Sequence, residues 1–242
     1  MQYIKAQVRK LLHQSGWDLY RLASSPNTFV QLLKCLNLVE ANLFFDIGAN
    51  DGYFAQTLRS VGFTGHIVSF EPLTEAHSKL SKTAARDTNW SVHSRIAIGD
   101  RDGETEINIA GNSVSSSVLP MLEAHSSAAV ESAYIASESV PLARLDSIAE
   151  KYLQPDSNLF IKIDTQGYEW QVLDGAKETL KRAMGGLCEL SLVPLYEGQQ
   201  LWRDIIDRLE TEGFTLWAIQ KGFTDPRTGR SLQIDAIFLR ID

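Results

Sequence analysis

A short apolar strand that leads into a glycine-containing turn constrains the fold of this chain more than any other feature. The segment Phe44–Tyr53 reads FFDIGANDGY, and a second apolar run, Ile67–Phe70, ends at Glu71. Glu71 follows Gly52 by 19 residues, close to the roughly 20 that separate a nucleotide-binding turn from its ribose-binding acid. This order of strand, turn, helix start and acid-ended strand predicts a nucleoside-binding crevice, with Glu71 facing the two ribose hydroxyls.

The acidic residues of the turn narrow the choice of nucleoside. Dinucleotide-binding folds use three glycines to hold a pyrophosphate, whereas this turn has only Gly48 and Gly52 and carries Asp46 and Asp51. S-adenosylmethionine has no phosphate, so the turn favours a methyltransferase over the alternative, an NAD-dependent oxidoreductase. In a purely structural interpretation, Asn50 or Asp51 caps the next helix and Asp46 satisfies backbone amides of the loop.

Composition and charge argue against several classes of protein. The 242 residues are 44% hydrophobic and 22% charged, which is ordinary for a folded globular chain. The net charge is −7 and there is no basic cluster, so we expect no nucleic-acid substrate. Cys35 and Cys188 fall in different predicted elements, which favours neither a disulfide scaffold nor a zinc site. No apolar stretch reaches 18 residues, so we expect a cytoplasmic protein without integral membrane association.

Strand and helix patterns alternate through most of the chain. After a prefix of short helices over residues 1–40, we predict strands at 43–47, 66–70, 90–98, 159–163, 187–193, 214–220 and 233–241, and helices at about 52–61, 74–85, 168–182 and 199–212. Such alternation is typical of an α/β fold with a mostly parallel sheet and helices on both faces, closed here by a C-terminal hairpin. Residues 41–242 are predicted to form this domain.

Two segments depart from the alternation. Between residues 103 and 145, the sequence indicates a strand at Glu104–Ile109, a polar loop at Ser113–Ser117 and a helix at Met121–Tyr134. We expect this insertion to lie over the crevice and to select what enters. The basic N-terminal segment, Met1–Leu12, has apolar residues at helical spacing. It is predicted to pack on the domain, with a membrane surface or a partner as alternatives.

Five segments in a fixed order carry a resemblance to a known family: Asp46–Tyr53, Phe70–Pro72, Ala97–Asp100, Lys162–Glu169 and Leu173–Ala176. Together they resemble the FkbM family of S-adenosylmethionine-dependent methyltransferases over roughly residues 40–240. The resemblance implies a seven-stranded, Rossmann-like class I methyltransferase fold whose last strand is antiparallel. It also implies O-methylation of a hydroxyl on a sugar or secondary metabolite. One departure is Gln166, where many members have Glu, and because a carboxylate is lost there we expect no required metal.

The predicted cofactor-binding residues lie where strands end, because ligands of open α/β sheets bind beyond the carboxyl ends of the strands. Asp100 follows the third strand and is expected to reach the adenine amino group, with a turn role as the alternative. Ser116 belongs to the insertion and is expected to bind the cofactor, unless its loop is mobile. The full predicted set is Asp46, Gly48, Asn50, Gly52, Tyr53, Glu71, Asp100 and Ser116.

Three residues are candidates for accepting the proton of the methyl acceptor. Asp164 ends the apolar strand that contains Lys162, and the alternatives for it are an ion pair with Lys162 or a helix cap. Glu189 interrupts another strand, which is costly unless the carboxylate is paired, used, or turned to solvent or to an arginine. His125 is the single histidine of the insertion and titrates near neutral pH, although a lone histidine is usually a surface or satisfied residue.

The acceptor is predicted to be a small molecule or carbohydrate bound by Gln166, Tyr196 and Glu197, which follow the fourth and fifth strands of the parallel pattern. A non-catalytic binding module on the same sheet is the alternative outside the enzymes. In that case the insertion or the N-terminal helix would contact a partner.

Overall fold

The computed structural model describes residues 27–241. In this range the strands are β1 (Leu43–Ile47), β2 (His66–Phe70), β3 (Trp90–Val92), β4 (Ala97–Ile98), β5 (Gly103–Ala110), β6 (Tyr134–Ala143), β7 (Leu159–Ile163), β8 (Ala183–Ser191), β9 (Thr215–Lys221) and β10 (Gln233–Leu239). The α-helices are α1 (Thr28–Leu38), α2 (Tyr53–Ser60), α3 (Thr74–Ala84), α4 (Glu123–Ala128), α5 (Leu145–Ile148), α6 (Glu169–Asp174), α7 (Lys177–Arg182) and α8 (Trp202–Thr211). None of these helices has the length and hydrophobicity needed to cross a bilayer.

The main sheet has seven strands in the order β3-β2-β1-β7-β8-β10-β9. Neighbouring strands from β3 to β8 run parallel, whereas β10 is antiparallel to both β8 and β9. This arrangement confirms the predicted Rossmann-like α/β fold with a C-terminal antiparallel hairpin. The central strands β1 and β7 pair in register from Leu43 with Leu159 to Ile47 with Ile163, so their carboxyl ends lie side by side.

Helices cover both faces of the sheet, and this explains why four of the five β1 residues are apolar. Phe45 and Ile47 point into a core that also contains Leu173 of α6 and Leu209 of α8. Phe44, on the other face, packs in a second core with the helices α1 to α3. A central parallel strand is buried on both sides and therefore shows no polar alternation.

The strand predicted over residues 90–98 is in fact two strands, and this part of the prediction is wrong. β3 joins the main sheet, whereas β4 joins a second sheet with the order β4-β6-β5. Between them the chain bends around the end of β2, because the His93 amide donates to the Ser69 carbonyl and the Ile96 amide to that of Glu71. These bonds place β4 beside the acid that ends β2.

The insertion contains more strand than predicted. The helix expected over Met121–Tyr134 is only the six-residue α4 followed by a 3₁₀ turn, Val130–Ser132. β6 begins at Tyr134 and pairs antiparallel with β5, from Gly103 opposite Leu142 to Ala110 opposite Tyr134. Many β6 side chains are exposed on this hairpin, so the buried apolar pattern typical of a strand is weak there.

The helix predicted over 168–182 is divided into α6 and α7 near Gly175. A Cβ atom at Gly175 would lie 1.8 Å from the carbonyl oxygen of Gly99, so this crossing requires glycine.

The N-terminal prediction is tested only in part. α1 begins after Asn27, whose Oδ1 accepts from the Phe29 amide at 2.8 Å, whereas Met1–Leu12 lies outside the described residues.

Candidate active site

A cleft opens where β1, β2 and β7 end. Its empty volume is about 690 Å³, part of it open to solvent. On one side it is bounded by Gly48, Asn50 and Glu71, and on the other by Asp164 and Gln166. An apolar wall is formed by Leu73, Ile98, Ile107, Val118 and Tyr168. The cleft thus has the position expected of a ligand site in an open α/β sheet.

The turn after β1 passes very close to the end of β7. Gly48 has φ 75°, and a Cβ atom there would lie 1.8 Å from the carbonyl oxygen of Asp164. Gly52 has φ 89° and precedes the first residue of α2. Asp51 Oδ1 accepts from the Tyr53 amide at 3.1 Å, so the capping contact weighed from the sequence is present. Both predicted glycines therefore shape the turn through backbone that other residues rarely adopt.

Glu71 is buried and held by backbone donors from two turns. Its Oε2 accepts from the Asn50 amide and its Oε1 from the Leu73 amide, both at 2.8 Å. Burial raises the pKa of Glu71 to about 7, although the two amides act in the opposite direction. Each carboxylate oxygen has two lone pairs, so Glu71 can still accept hydrogen bonds from ligand hydroxyls in the cleft.

A buried ammonium group lies beneath the cleft. Lys162 Nζ is 3.1 Å from Asp46 Oδ1 and 3.5 Å from Asp164 Oδ2, and it donates to the Gly48 carbonyl at 3.2 Å. Burial lowers the pKa of Lys162, but the two carboxylates outweigh that effect and raise it overall. Lys162 therefore stays charged and ties β1 to β7. The ion pair considered from the sequence exists, and it leaves Asp164 at the cleft, where one third of its side chain is exposed.

Asp164 and Glu189 are joined through the amide of Gln166. Gln166 Nε2 donates to Asp164 Oδ1 at 2.9 Å and to Glu189 Oε2 at 2.7 Å. Glu189 Oε2 also accepts from Gln233 Nε2 at 2.7 Å. Burial and the nearby carboxylates of Asp164 and Asp235 raise the pKa of Glu189 well above its usual range. Glu189 thus lies one hydrogen bond behind the residues that line the cleft.

Two further acids belong to this cluster and were missed in the sequence. Glu169 Oε1 accepts from the Thr165 amide at 2.9 Å and from the Gly167 amide at 3.1 Å, and burial raises its pKa to about 7. Asp235 lies opposite Glu189 on β10, and burial with the Asp164 charge raises its pKa to about 7. Asp235 interrupts an apolar strand as Glu189 does, so the same signal could have identified it. Glu169 is the first residue of α6, where an acid is common, so its sequence position gave no signal of a role in the site.

Comparison with known families identifies the chain. Residues 46–216 match the methyltransferase FkbM domain. The chain belongs to the FkbM methyltransferase family. This assignment confirms the resemblance and supports the methyltransferase over the oxidoreductase. No curated protein sequence matches the chain.

Solved structures with a similar fold are distant from this FkbM methyltransferase. An rRNA methylase from Streptococcus thermophilus is 9% identical, with a TM-score of 0.47 over 89% of this chain and 98% of that one. A precorrin-6y C5,15-methyltransferase from Geobacter metallireducens is 11% identical, with a TM-score of 0.47 over 92% of each chain. Such distant likenesses carry no inference about the acceptor.

The cleft of this FkbM methyltransferase has groups suited to each part of S-adenosylmethionine, the methyl donor of the family. The Glu71 carboxylate can accept from ribose hydroxyls, and the apolar wall can cover an adenine. The glycine turn at Gly48 brings the end of β1 against the Asp164 backbone, and Gly48 and Asp164 both line the cleft. Acids near a ligand that bears a sulfonium and an ammonium are electrostatically favourable. The residues present therefore fit the cofactor.

Of the other predicted cofactor residues, two line the cleft and two do not. Ser116 lines it, and its Oγ accepts from the Ala110 amide at 3.0 Å. Asn50 also lines it, and its Nδ2 donates to Ser113 Oγ at 3.2 Å, which links the β1 turn to the insertion. Tyr53 is 69% exposed at the start of α2. Asp100 is exposed, is not among the cleft-lining residues, and pairs with Arg101 at 3.2 Å. For all of them, binding of the cofactor stays a prediction.

The predicted acceptor residues are divided between the interior and the surface. Tyr196 is buried, and its hydroxyl donates to Gln166 Oε1 at 2.8 Å. His125 is also buried, with its ring centroid 5.2 Å from those of Tyr196 and Phe223. Burial lowers the pKa of His125 to about 4, so it is neutral at pH 7 and lies behind Tyr196. Glu197 is exposed.

Proposed function

We propose that this FkbM methyltransferase transfers the methyl group of S-adenosylmethionine to a hydroxyl of a carbohydrate or other small metabolite, with Asp164 accepting the proton of that hydroxyl. The observation that carries the proposal is the position of the Asp164 carboxylate. It lines the cleft at the end of β7, beside the Gly48 turn and across from Glu71. A general base must be within reach of the acceptor atom. Asp164 meets this requirement, because it lines the cleft and its side chain is partly exposed.

Protein groups hold Asp164 from two directions. Gln166 Nε2 contacts Oδ1, and Lys162 Nζ lies near Oδ2. A carboxylate has about four lone-pair positions, so these contacts fix its orientation and still leave it able to accept a proton. When bound, the cofactor supplies an electrophilic methyl group on a sulfonium. The residues of the chain then orient the acceptor oxygen and remove its proton.

The charges around Asp164 support a neutral polar acceptor. The described residues that line the cleft include no Lys or Arg, and the chain has a net charge of −7. Such a surrounding repels phosphate-rich acceptors, including nucleic acids. Carboxylate and amide side chains such as Asp164 and Gln166 form hydrogen bonds readily with sugar hydroxyls. A polyol is therefore the acceptor class that this end of the cleft favours.

The test begins with a panel of neutral, anionic and cationic acceptors, assayed for transfer of a labelled methyl group from S-adenosylmethionine. With an acceptor in hand, Asp164→Asn should lower kcat by about 10² to 10⁴-fold, the usual contribution of general-base catalysis. Cofactor affinity, measured by calorimetric titration, should change little, because Asn keeps an oxygen for the Gln166 amide.

The matched control is Asp156→Asn, an exposed acid before β7 at the opposite end of the sheet, which should leave kcat unchanged. Full activity of Asp164→Asn would remove Asp164 from the reaction. Cofactor binding without transfer to any acceptor would favour the non-catalytic binding module, and exclusive transfer to amines would overturn the hydroxyl acceptor.

A further inference from the structure

We propose that Gln166 is a positioning residue whose amide, oriented by the Tyr196 hydroxyl, holds the Asp164 carboxylate in place for proton transfer. The inference rests on the proposed role of Asp164 and assigns Gln166 and Tyr196 a task other than binding the acceptor. Three hydrogen bonds carry it. Tyr196 donates to Gln166 Oε1 at 2.8 Å, and Gln166 Nε2 donates to Asp164 and Glu189 at 2.9 and 2.7 Å.

The chemistry of the partners fixes which way the amide points. An ionised carboxylate only accepts hydrogen bonds, so the Nε2 end of Gln166 must face Asp164. The Oε1 end then needs a donor, and the phenolic hydroxyl of Tyr196 lies 2.8 Å from it, closer than the 3.2 Å that separates the same hydroxyl from the Ser115 carbonyl oxygen. The two Nε2 hydrogens match the two acids one for one. A turned amide would bring its oxygen against the Asp164 carboxylate and lose the bond made there.

Local packing restricts the network to one geometry. Gln166 has φ 53°, and its carbonyl oxygen accepts from Ser117 Oγ at 2.7 Å. Next to it, Gly167 has φ 96°, and a Cβ atom there would lie 2.8 Å from Tyr196 Cδ2. The absence of a side chain at Gly167 thus lets the Tyr196 ring approach Gln166. The His125 ring contacts the Tyr196 ring in an edge-to-face geometry, with 5.2 Å between the centroids.

A neutral side chain at position 166 suits the acids around it. Glu189 faces Asp164, Asp235 and Glu169 as well as the Lys162 ammonium. A carboxylate at position 166 would add another acid within hydrogen-bond distance of two of them, and like charges so close are unfavourable. The Gln166 amide instead satisfies both carboxyl groups with donors. In this way the network limits rotation of the Asp164 side chain without adding charge.

The first experiment needs no acceptor. Side-chain amide protons of Gln166 are assigned by NMR through their loss in Gln166→Ala, and their exchange with solvent is measured. Because both protons are hydrogen bonded, exchange should be at least 10-fold slower than for Gln154, an exposed glutamine. Tyr196→Phe, which removes one oxygen atom, should speed exchange at Gln166 and leave Gln154 unchanged. Equal exchange rates for the two wild-type glutamines would overturn the proposal even if the enzyme methylates hydroxyls.

The second experiment is a double-mutant cycle on turnover. Tyr196→Phe should lower kcat about 10-fold and Gln166→Ala about 100-fold, with the KM for S-adenosylmethionine within 2-fold of wild type. Tyr196→Phe should add nothing in the Gln166→Ala background, because the oriented amide is gone. If the losses of kcat are additive, or if only KM changes, the two residues do not act through Asp164. If the variants lower the melting temperature but leave kcat at low temperature unchanged, the two residues serve only stability, and the proposal is overturned.

Discussion

The acids on the two sides of the cleft are held in place by different kinds of groups. On the Glu71 side, the polar groups are fixed by backbone: two main-chain amides hold the carboxylate, and the glycine turn sets its distance from β7. On the Asp164 side, Asp164 and Glu189 are held by the side chains of Lys162, Gln166 and Gln233, and Glu169 behind them by backbone amides. Backbone contacts survive changes of residue type, whereas a side-chain network depends on each member. The cofactor side should thus be sensitive to backbone geometry and the acceptor side to side-chain chemistry.

The strongest test of the cofactor side is Gly48→Ala. A Cβ atom would approach the Asp164 carbonyl to 1.8 Å at φ 75°. Steric overlap and left-handed strain together should lower the free energy of unfolding by about 3 to 5 kcal/mol. Gly198→Ala is the matched control, because Gly198 has φ 74° with nothing within 4 Å of its Cβ position. It should lose only about 1 to 2 kcal/mol. Equal losses by urea unfolding would show that close approach at Gly48 is unimportant.

The acceptor side predicts a stability that falls as pH rises. The pKa of Glu169 is raised from 4.5 to about 7, so the fold favours its neutral form. That contribution is complete below pH 4.5 and is lost as pH rises through 7. Glu169→Gln keeps an oxygen that can accept the bonds now made by Oε1. The variant should match wild type near pH 4.5 and exceed its free energy of unfolding by up to about 3 kcal/mol at pH 8.

Urea unfolding at several pH values measures this difference, with Glu178→Gln on the exposed surface of α7 as the control. A constant difference between wild type and Glu169→Gln from pH 4.5 to 8 would refute the neutral form.

A smaller effect is expected at Glu71. Both of its oxygens accept from backbone amides, and the nitrogen of Gln cannot accept, so Glu71→Gln loses one contact and the charge offered to the ribose. Affinity for S-adenosylmethionine should fall about 10 to 100-fold, as for loss of one charge-assisted hydrogen bond. Calorimetric titration measures it, with the exposed Glu75→Gln of α3 as the control. Unchanged affinity would remove Glu71 from the cofactor site.

Local sequence signals were sufficient where burial was complete. The bounds of β1, β2 and β7 were predicted correctly, because strands buried on both faces are mostly apolar, with few polar interruptions. β6 was missed because its hairpin is largely exposed, and the division between α6 and α7 because a contact with Gly99 sets it. Such long-range contacts leave no local pattern.

The same limit applies to the site. Gly48 and Glu71, which line the cleft, were predicted because one shapes the turn after a strand and the other ends a strand, whereas Asp46 is buried against Lys162 and does not line it. The pairing of Gln166 with Tyr196 joins residues 30 positions apart, and nothing near either one in the chain indicates the other. The predicted division of the chain at residue 41 stays a prediction.

The two backbone bonds to Glu71 have a thermodynamic consequence. The carboxylate bridges the turn after β1 and the chain entering α3, so its rotamer is already chosen before any ligand arrives. Binding of the cofactor therefore loses little entropy through ordering of this side chain. Preorganisation of this kind raises affinity because it removes an entropic cost, without adding a contact. A calorimetric signature follows: the entropy of cofactor binding should become less favourable when either turn is loosened, even with every ligand-contacting atom still present.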